Sequence, residues 1–169
     1  KEAIETDKLL QEHAPSLARS LLQQSSSWPE PLRRENLNDL HKLKTQLASL
    51  SETPSTPEQS ANLLRAALEV LSNSLAFESS FYRGTTHRSR SDGQELLYSV
   101  LYIGTAQGYY YSETLGQSGT IDFDNGNWTW NEDPTLLTPL LDFDRILEKE
   151  VPAHWIPLPF QIKEGGEQQ

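Results

Sequence analysis

Thr120-Ile-Asp-Phe-Asp-Asn-Gly-Asn-Trp-Thr-Trp130 is the stretch that settles how this chain is read. Asn125-Gly126 offers two adjacent residues that tolerate positive φ. A type I′ turn needs such a pair, and its twist matches the strands it joins. Apolar and polar residues alternate on either side. Ile121 and Phe123 therefore share one face of the incoming strand, and Trp128 and Trp130 share one face of the outgoing strand. The segment predicts a β-hairpin.

The same period continues toward the N-terminus. Gly108-Tyr-Tyr-Tyr-Ser112 predicts a strand, followed by a polar loop over Glu113–Gly119. Leu96-Leu-Tyr-Ser-Val-Leu-Tyr-Ile103 is apolar on both faces, the mark of a strand covered on each side. Asp92-Gly93 supplies a turn with positive φ, so residues 77–90 and 94–103 are expected to pair as a hairpin. In the first of these, Phe77, Ser79 and Phe81 alternate with Glu78, Ser80 and Tyr82.

Before Leu75 the period is helical. Leu10, Ala14, Leu17 and Leu21 fall on one face of a helix over residues 3–25, with an interruption expected at Pro15. Gln23 to Pro31 is expected to be a break. A second helix is expected over 31–50, with Leu40, Leu43, Leu47 and Leu50 as a short apolar seam. After a polar loop over residues 51–56, Thr56-Pro57-Glu58-Gln59 has the form of a capping box with proline at the first helical position. Leu64, Ala67, Leu68, Leu71 and Leu75 are the expected buried face of that third helix.

At the other end, Asp133-Pro134 opens a last helix carrying Leu136, Leu137, Leu140, Leu141, Ile146 and Leu147, ended by Pro152. Trp155 to Ile162 is expected to be extended. Pro157 and Pro159 keep it out of a central strand, so a sheet edge or a path across the helices is expected. The fold class is therefore α+β: N-terminal helices, an antiparallel meander of about five strands, and a C-terminal helix packed on the sheet. The expected divisions are an N-terminal helical segment at 1–30, a mixed domain at 31–162 and a disordered tail at 163–169.

Composition narrows the function. The net charge of −10 disfavours nucleic acid and anionic lipid surfaces as partners. The basic cluster Arg83, His87, Arg88 and Arg90 reads as a solvated strand end. With no cysteine, neither a disulfide scaffold nor a thiolate zinc site can form. No apolar run is long enough to span a membrane. The start at Lys1 and the lack of methionine lead us to expect a piece of a longer product, with a signal peptide or longer N-terminal region removed.

No catalytic motif emerges. His13, His41, His87 and His154 show no helical ligand spacing, and His154 reads as a packing or capping residue. Asp122-Phe-Asp-Asn-Gly-Asn127 departs from the calcium-loop pattern, since Asn127 stands where its glycine belongs and Asp133 where its glutamate belongs. No nucleophile elbow or phosphate loop occurs. No catalytic residue, metal ligand or cofactor is expected. What remains is a set of rings: Tyr98, Tyr102, Tyr109, Tyr110, Tyr111, Trp128 and Trp130. Alternation turns about half of them away from the helix-covered face. They serve either cross-strand packing or partner binding, for which Tyr and Trp are well suited.

Four segments together carry a family resemblance: Pro31-Leu-Arg-Arg-Glu-Asn-Leu37, the helix over 63–77, the strand block Glu95–Tyr111, and Asn127-Trp128 running through Pro134-Thr-Leu-Leu137 to Leu158-Pro159. In order and pattern they resemble the DUF3450 family of secreted bacterial proteins. The chain departs from that family in lacking its long coiled coil and in carrying Gly104-Thr105 where a Gly-Arg step is usual. The resemblance implies a periplasmic accessory or scaffold protein working beside TonB, ExbB and ExbD-type energy-transducing components through protein–protein contacts. It implies no enzymatic activity, and it leaves room for a homo-oligomer formed through the N-terminal helices. The alternative is a small-ligand-binding or hydrolytic domain using a pocket between sheet and helices.

Overall fold

The structure, a computed structural model, describes residues 2–52, 56–89 and 93–160. It is α+β, 52% helical and 26% strand. Five helices, α1 (Glu2–Gln24), α2 (Glu30–Glu35), α3 (Leu37–Glu52), α4 (Pro57–Glu78) and α5 (Leu137–Leu147), accompany a five-stranded antiparallel sheet. Its strands are β1 (Phe81–Ser89), β2 (Glu95–Ile103), β3 (Gln107–Ser112), β4 (Gln117–Asp124) and β5 (Asn127–Glu132), paired in chain order. Contacts group the chain into two compact units, Lys1–Ser80 and Phe81–Gln169. The expected division at residue 30 differs from this, because α1 packs along α4 and belongs with the other helices.

The helical unit shows where local pattern misleads. α1 runs through Pro15 without a break, although proline removes one hydrogen bond from the ladder. Ala14 just before it and Ala18 and Leu21 beyond it are buried and hold the helix in place; the side chain of Leu10 lies outside the described residues. The expected second helix is two, α2 and α3, divided at Asn36. Asn36 is buried, donates to the Leu32 carbonyl at 2.9 Å, and accepts from Asn73 of α4 at 2.8 Å. Thr56 caps α4 through the expected box: its hydroxyl accepts from Gln59 N at 3.2 Å, and Gln59 Oε1 accepts from Thr56 N at 3.0 Å.

The buried face of α4 is a correction. It comprises Ser60, Leu63, Ala66, Ala67, Val70, Ser74 and Phe77, while Leu68 and Leu75 are exposed. Small residues at these positions let helices approach closely, which outweighs the burial of the bulkier leucines one position over. The helix also runs through Phe77 to Glu78, so the first strand starts at Phe81 and not at 77. Of the loop expected after α3, residues 53–55 lie outside the described residues.

In the second unit the hairpins form as expected. Asn125 and Gly126 have φ of 49° and 84°, and Ile121 pairs with Trp130 and Phe123 with Trp128. Gly93 takes φ 82° in the β1–β2 turn, in which Asp92 lies outside the described residues. One boundary moves: β4 begins at Gln117, inside the stretch expected as loop, because Gln117, Ser118 and Gly119 pair with Ser112, Tyr111 and Tyr110. A single 3-10 turn over Pro134–Leu136 precedes α5, with Asp133 accepting from Thr135 N at 3.0 Å. Lys149 takes φ 61° just past the helix, which ends at Leu147.

Alternation gives the sheet two unlike faces. One carries Leu101, Tyr109 and Tyr111 against Leu136 and Leu140, with Ile103, Leu137, Leu141, Phe143 and Leu158 packed around them. The C-terminal stretch crosses this face, where the Pro159 carbonyl accepts from the Tyr109 hydroxyl at 2.6 Å. Gln161 and Ile162, and the tail expected over 163–169, lie outside the described residues.

Candidate functional site

The opposite face carries Tyr82, Tyr98, Tyr102, Tyr110, Phe123, Trp128 and Trp130, placed there by the cross-strand register. The seven rings singled out from the sequence thus divide. Tyr109 and Tyr111 point toward α5; Tyr98, Tyr102, Tyr110, Trp128 and Trp130 gather on the far side.

The gathering is a packed assembly and not a flat display. Tyr98, Tyr102 and Tyr110 are buried, and Trp128 and Trp130 half-buried. Trp130 lies against Tyr110 with centroids 4.4 Å apart and meets Tyr98 edge-on at 5.6 Å. Trp128 meets Tyr102 edge-on at 6.0 Å and Phe123 at 5.4 Å. Each such pair contributes about 0.5–1.5 kcal/mol beyond its buried area.

Glycine makes room for these rings. A Cβ on Gly108 would stand 2.7 Å from the ring of Tyr102, and one on Gly119 would stand 2.6 Å from Tyr110 and 2.0 Å from the Asn131 carbonyl oxygen. Tyr98 on β2 touches Trp130 on β5, two strands lying between them, and Arg88 on β1 reaches the same indole. Contacts across that many strands require the sheet to curl around this face, as twisted antiparallel sheets do.

At one end of the curl the rings give way to polar groups. A pocket of about 260 Å³ is lined by Arg88, Ser89, Leu96, Tyr98, Tyr110, Gln117 and Glu132. The Arg88 guanidinium lies 4.7 Å from the Trp130 ring centroid, a cation–π seat. Among the described residues Arg88 makes no hydrogen bond or ion pair. Tyr98 donates to Gln117 Oε1 at 2.6 Å. Burial pushes the Tyr110 phenol up, the Glu132 carboxylate adds to this, and Arg88 opposes it. The Tyr110 hydroxyl therefore feels both charges.

This placement revises the basic cluster. Alternation sends Arg83 and His87 to the α5 face and Arg88 to the aromatic face. Arg83 is not simply solvated, for it pairs with Asp144 and Glu148, each at 2.8 Å. Arg90 lies outside the described residues. The pocket also lies away from α5, on the sheet face opposite it.

Two other polar clusters are accounted for by their own partners. The buried Asp122 carboxyl group accepts from Gln107 Nε2 at 2.6 Å, Thr120 Oγ1 at 2.5 Å and Asn131 Nδ2 at 2.8 Å. The segment that superficially resembles a calcium loop is thus a hairpin whose acidic residue is saturated by neutral donors. His154, half-exposed, places Nε2 2.6 Å from Asp142 Oδ2 and Nδ1 3.1 Å from the Pro152 carbonyl. Both partners are acceptors, so the pair of contacts is best satisfied by the protonated ring. The His154–Asp142 contact spans 12 residues, and no local signal announces it. Among the described residues no group of three or more His, Cys, Asp or Glu is placed to hold a metal.

Arg88, Gln117 and Glu132 were not singled out as site residues from the sequence. Their convergence depends on curl, and curl leaves no mark in local periodicity. The Arg88–Trp130 pairing is equally silent.

Compared with known proteins, the chain matches no family model, no curated protein and no solved structure. The likeness to DUF3450 proteins rests on the residue pattern alone.

Proposed function

We propose that this protein is a non-enzymatic binding module whose contact surface is the curled aromatic face and its polar mouth. The observation that carries this is the seat of Arg88. A guanidinium laid on Trp130, with no hydrogen-bond partner among the described residues, stands ready for an outside acceptor at low entropic cost, because stacking already restricts it. Trp and Arg together are the residue types that dominate binding hot spots. Half-buried Trp128 and Trp130 stand on β5, an edge strand, where backbone groups on the outer side are open to another chain.

The setting we propose follows the DUF3450 likeness. The module is a periplasmic accessory that supports a TonB/ExbB/ExbD-type energy-transducing complex by protein–protein contact. The net charge of −10 favours basic protein surfaces over phosphate-bearing partners. Among the described residues no helix is long and apolar enough to cross a membrane.

Crosslinking and pull-down from a bacterial envelope fraction test the proposal. The native chain is expected to recover a partner, and Trp130→Ala and Arg88→Ala are expected to lose it while keeping native circular dichroism. Equal recovery with both folded variants would exclude the aromatic face as the docking surface.

A further inference from the structure

The pocket at the mouth of the aromatic face has a chemistry of its own. Among the described residues its charged groups are one of each sign, Arg88 and Glu132, standing on strands at opposite edges of the sheet and brought together by curl. A simple anion drawn to Arg88 meets repulsion from Glu132 and from a molecule of net charge −10. A simple cation drawn to Glu132 meets Arg88. A ligand bearing both charges satisfies both groups and repels neither.

The remaining lining completes the outline. Tyr98 donates to Gln117 Oε1 at 2.6 Å, which fixes the amide and leaves its N–H2 as a second donor lining the same pocket as the guanidinium. Leu96 and the edges of the Tyr98 and Tyr110 rings supply a small apolar patch in a lining that is mostly polar. A volume of about 260 Å³ is just under the ~300–1,000 Å³ of sites for drug-sized molecules, so the occupant is smaller than those.

We propose that this pocket binds a zwitterionic α-amino acid with an apolar side chain. The carboxylate lies on Arg88 and the Gln117 amide, the ammonium on Glu132, and the side chain against Leu96, Tyr98 and Tyr110. This deepens the reading of the face as a binding surface, with which it shares Arg88, by naming a small ligand for its polar mouth.

The test is an NMR and calorimetric titration of the full chain with L-phenylalanine and L-leucine, beside 3-phenylpropionate (carboxylate only) and phenethylamine (ammonium only). Saturable shifts are expected at Leu96, Tyr98, Tyr110 and Gln117 with at least one of the amino acids. Arg88→Met and Glu132→Gln change exposed side chains and are expected to fold. Each is expected to weaken amino-acid binding by about tenfold or more, the worth of one charged hydrogen-bonded contact. Each singly charged analogue is expected to bind correspondingly worse than phenylalanine.

Phenylpropionate or phenethylamine binding as well as phenylalanine overturns the zwitterion assignment. So does the lack of any saturable shift with either amino acid, or affinity unchanged in both variants. The envelope pull-down separates the two proposals: a chain that captures its partner but ignores amino acids loses only the pocket assignment. A chain that binds phenylalanine but captures nothing loses only the docking role.

Discussion

The Tyr111 hydroxyl on β3 donates to Oδ2 of Asp144 on α5, while Arg83 Nε on β1 sits 2.8 Å from the other oxygen of that carboxylate. One carboxylate thereby ties the last helix to two strands. The two ties are unequal. Tyr111 is almost fully buried, whereas the Arg83 side chain is 41% exposed and screened by solvent. Tyr111→Phe is expected to cost about 1.5–3 kcal/mol, as hydrogen bonds to charged groups do. Arg83→Ala is expected to cost less than about 1 kcal/mol. Urea unfolding of the two variants decides it, and equal losses would contradict the ranking.

The tyrosine ladder predicts alkaline behaviour. Burial, reinforced by Asp122, pushes the Tyr109 phenol up to about 12 from its ordinary 10.0. Burial raises Tyr111 further, with the Asp144 hydrogen bond adding to it. A phenol that holds its proton more tightly when folded contributes its full stability below about pH 10. That contribution drains away as pH climbs from 10 toward 12 for Tyr109, and at still higher pH for Tyr111. Near-ultraviolet absorbance titration is expected to show these rings ionising late, with stability falling over the same window. Ionisation of every tyrosine near pH 10 in the folded protein would contradict this.

Two glycines forecast unlike penalties. At Gly119 a methyl group would press on the Asn131 carbonyl oxygen at 2.0 Å, and backbone cannot swing aside as a side chain can. Gly119→Ala is expected at or beyond the top of the ~1–3 kcal/mol range for overpacking. Gly126 has φ 84° and open space around it, so Gly126→Ala carries only the left-handed penalty of about 1–2 kcal/mol. Chemical denaturation of both variants gives the comparison, and Gly126→Ala is expected to be the milder.

In the helical unit, Asn73→Ala removes the donor to buried Asn36 Oδ1. A buried acceptor without its partner costs about 1–3 kcal/mol. Hydrogen exchange in α3 and α4 is expected to accelerate accordingly, and unchanged protection would show that the bond contributes nothing.

His154 is a local pH reporter. The Pro152 carbonyl first, and Asp142 second, raise its imidazole above the ordinary 6.5. The stabilisation from the charged ring is fully present below about pH 6.5 and is lost as pH rises through the raised folded value, where the neutral ring keeps one N–H to donate. Asp142→Asn is expected to lower the imidazole titration midpoint seen by NMR, and an unmoved midpoint would show that the carboxylate plays no part.

Much of this protein was written into local pattern. Asn125-Gly126 specified its turn because few other dipeptides accept positive φ twice. Thr56-Pro57-Glu58-Gln59 specified a helix start because its side chains close on their own backbone. Period-two alternation placed Ile121 with Phe123 on one face of their strand and Trp128 with Trp130 on one face of theirs. These are short-range effects, carried by neighbours in the chain.

Tertiary structure decided the rest. It kept α4 helical through Phe77, where alternation favoured strand, because Phe77 has a buried place in line with Val70 and Ser74. It chose Leu63, Ala66 and Val70 over Leu68 and Leu75 for the core, since closeness of approach between helices is a property of pairs. It also brought Arg88 onto Trp130 and set Glu132 and Gln117 beside the same pocket. Those residues stand up to 44 positions apart on four strands' worth of chain, and only the curl of the whole sheet makes them neighbours.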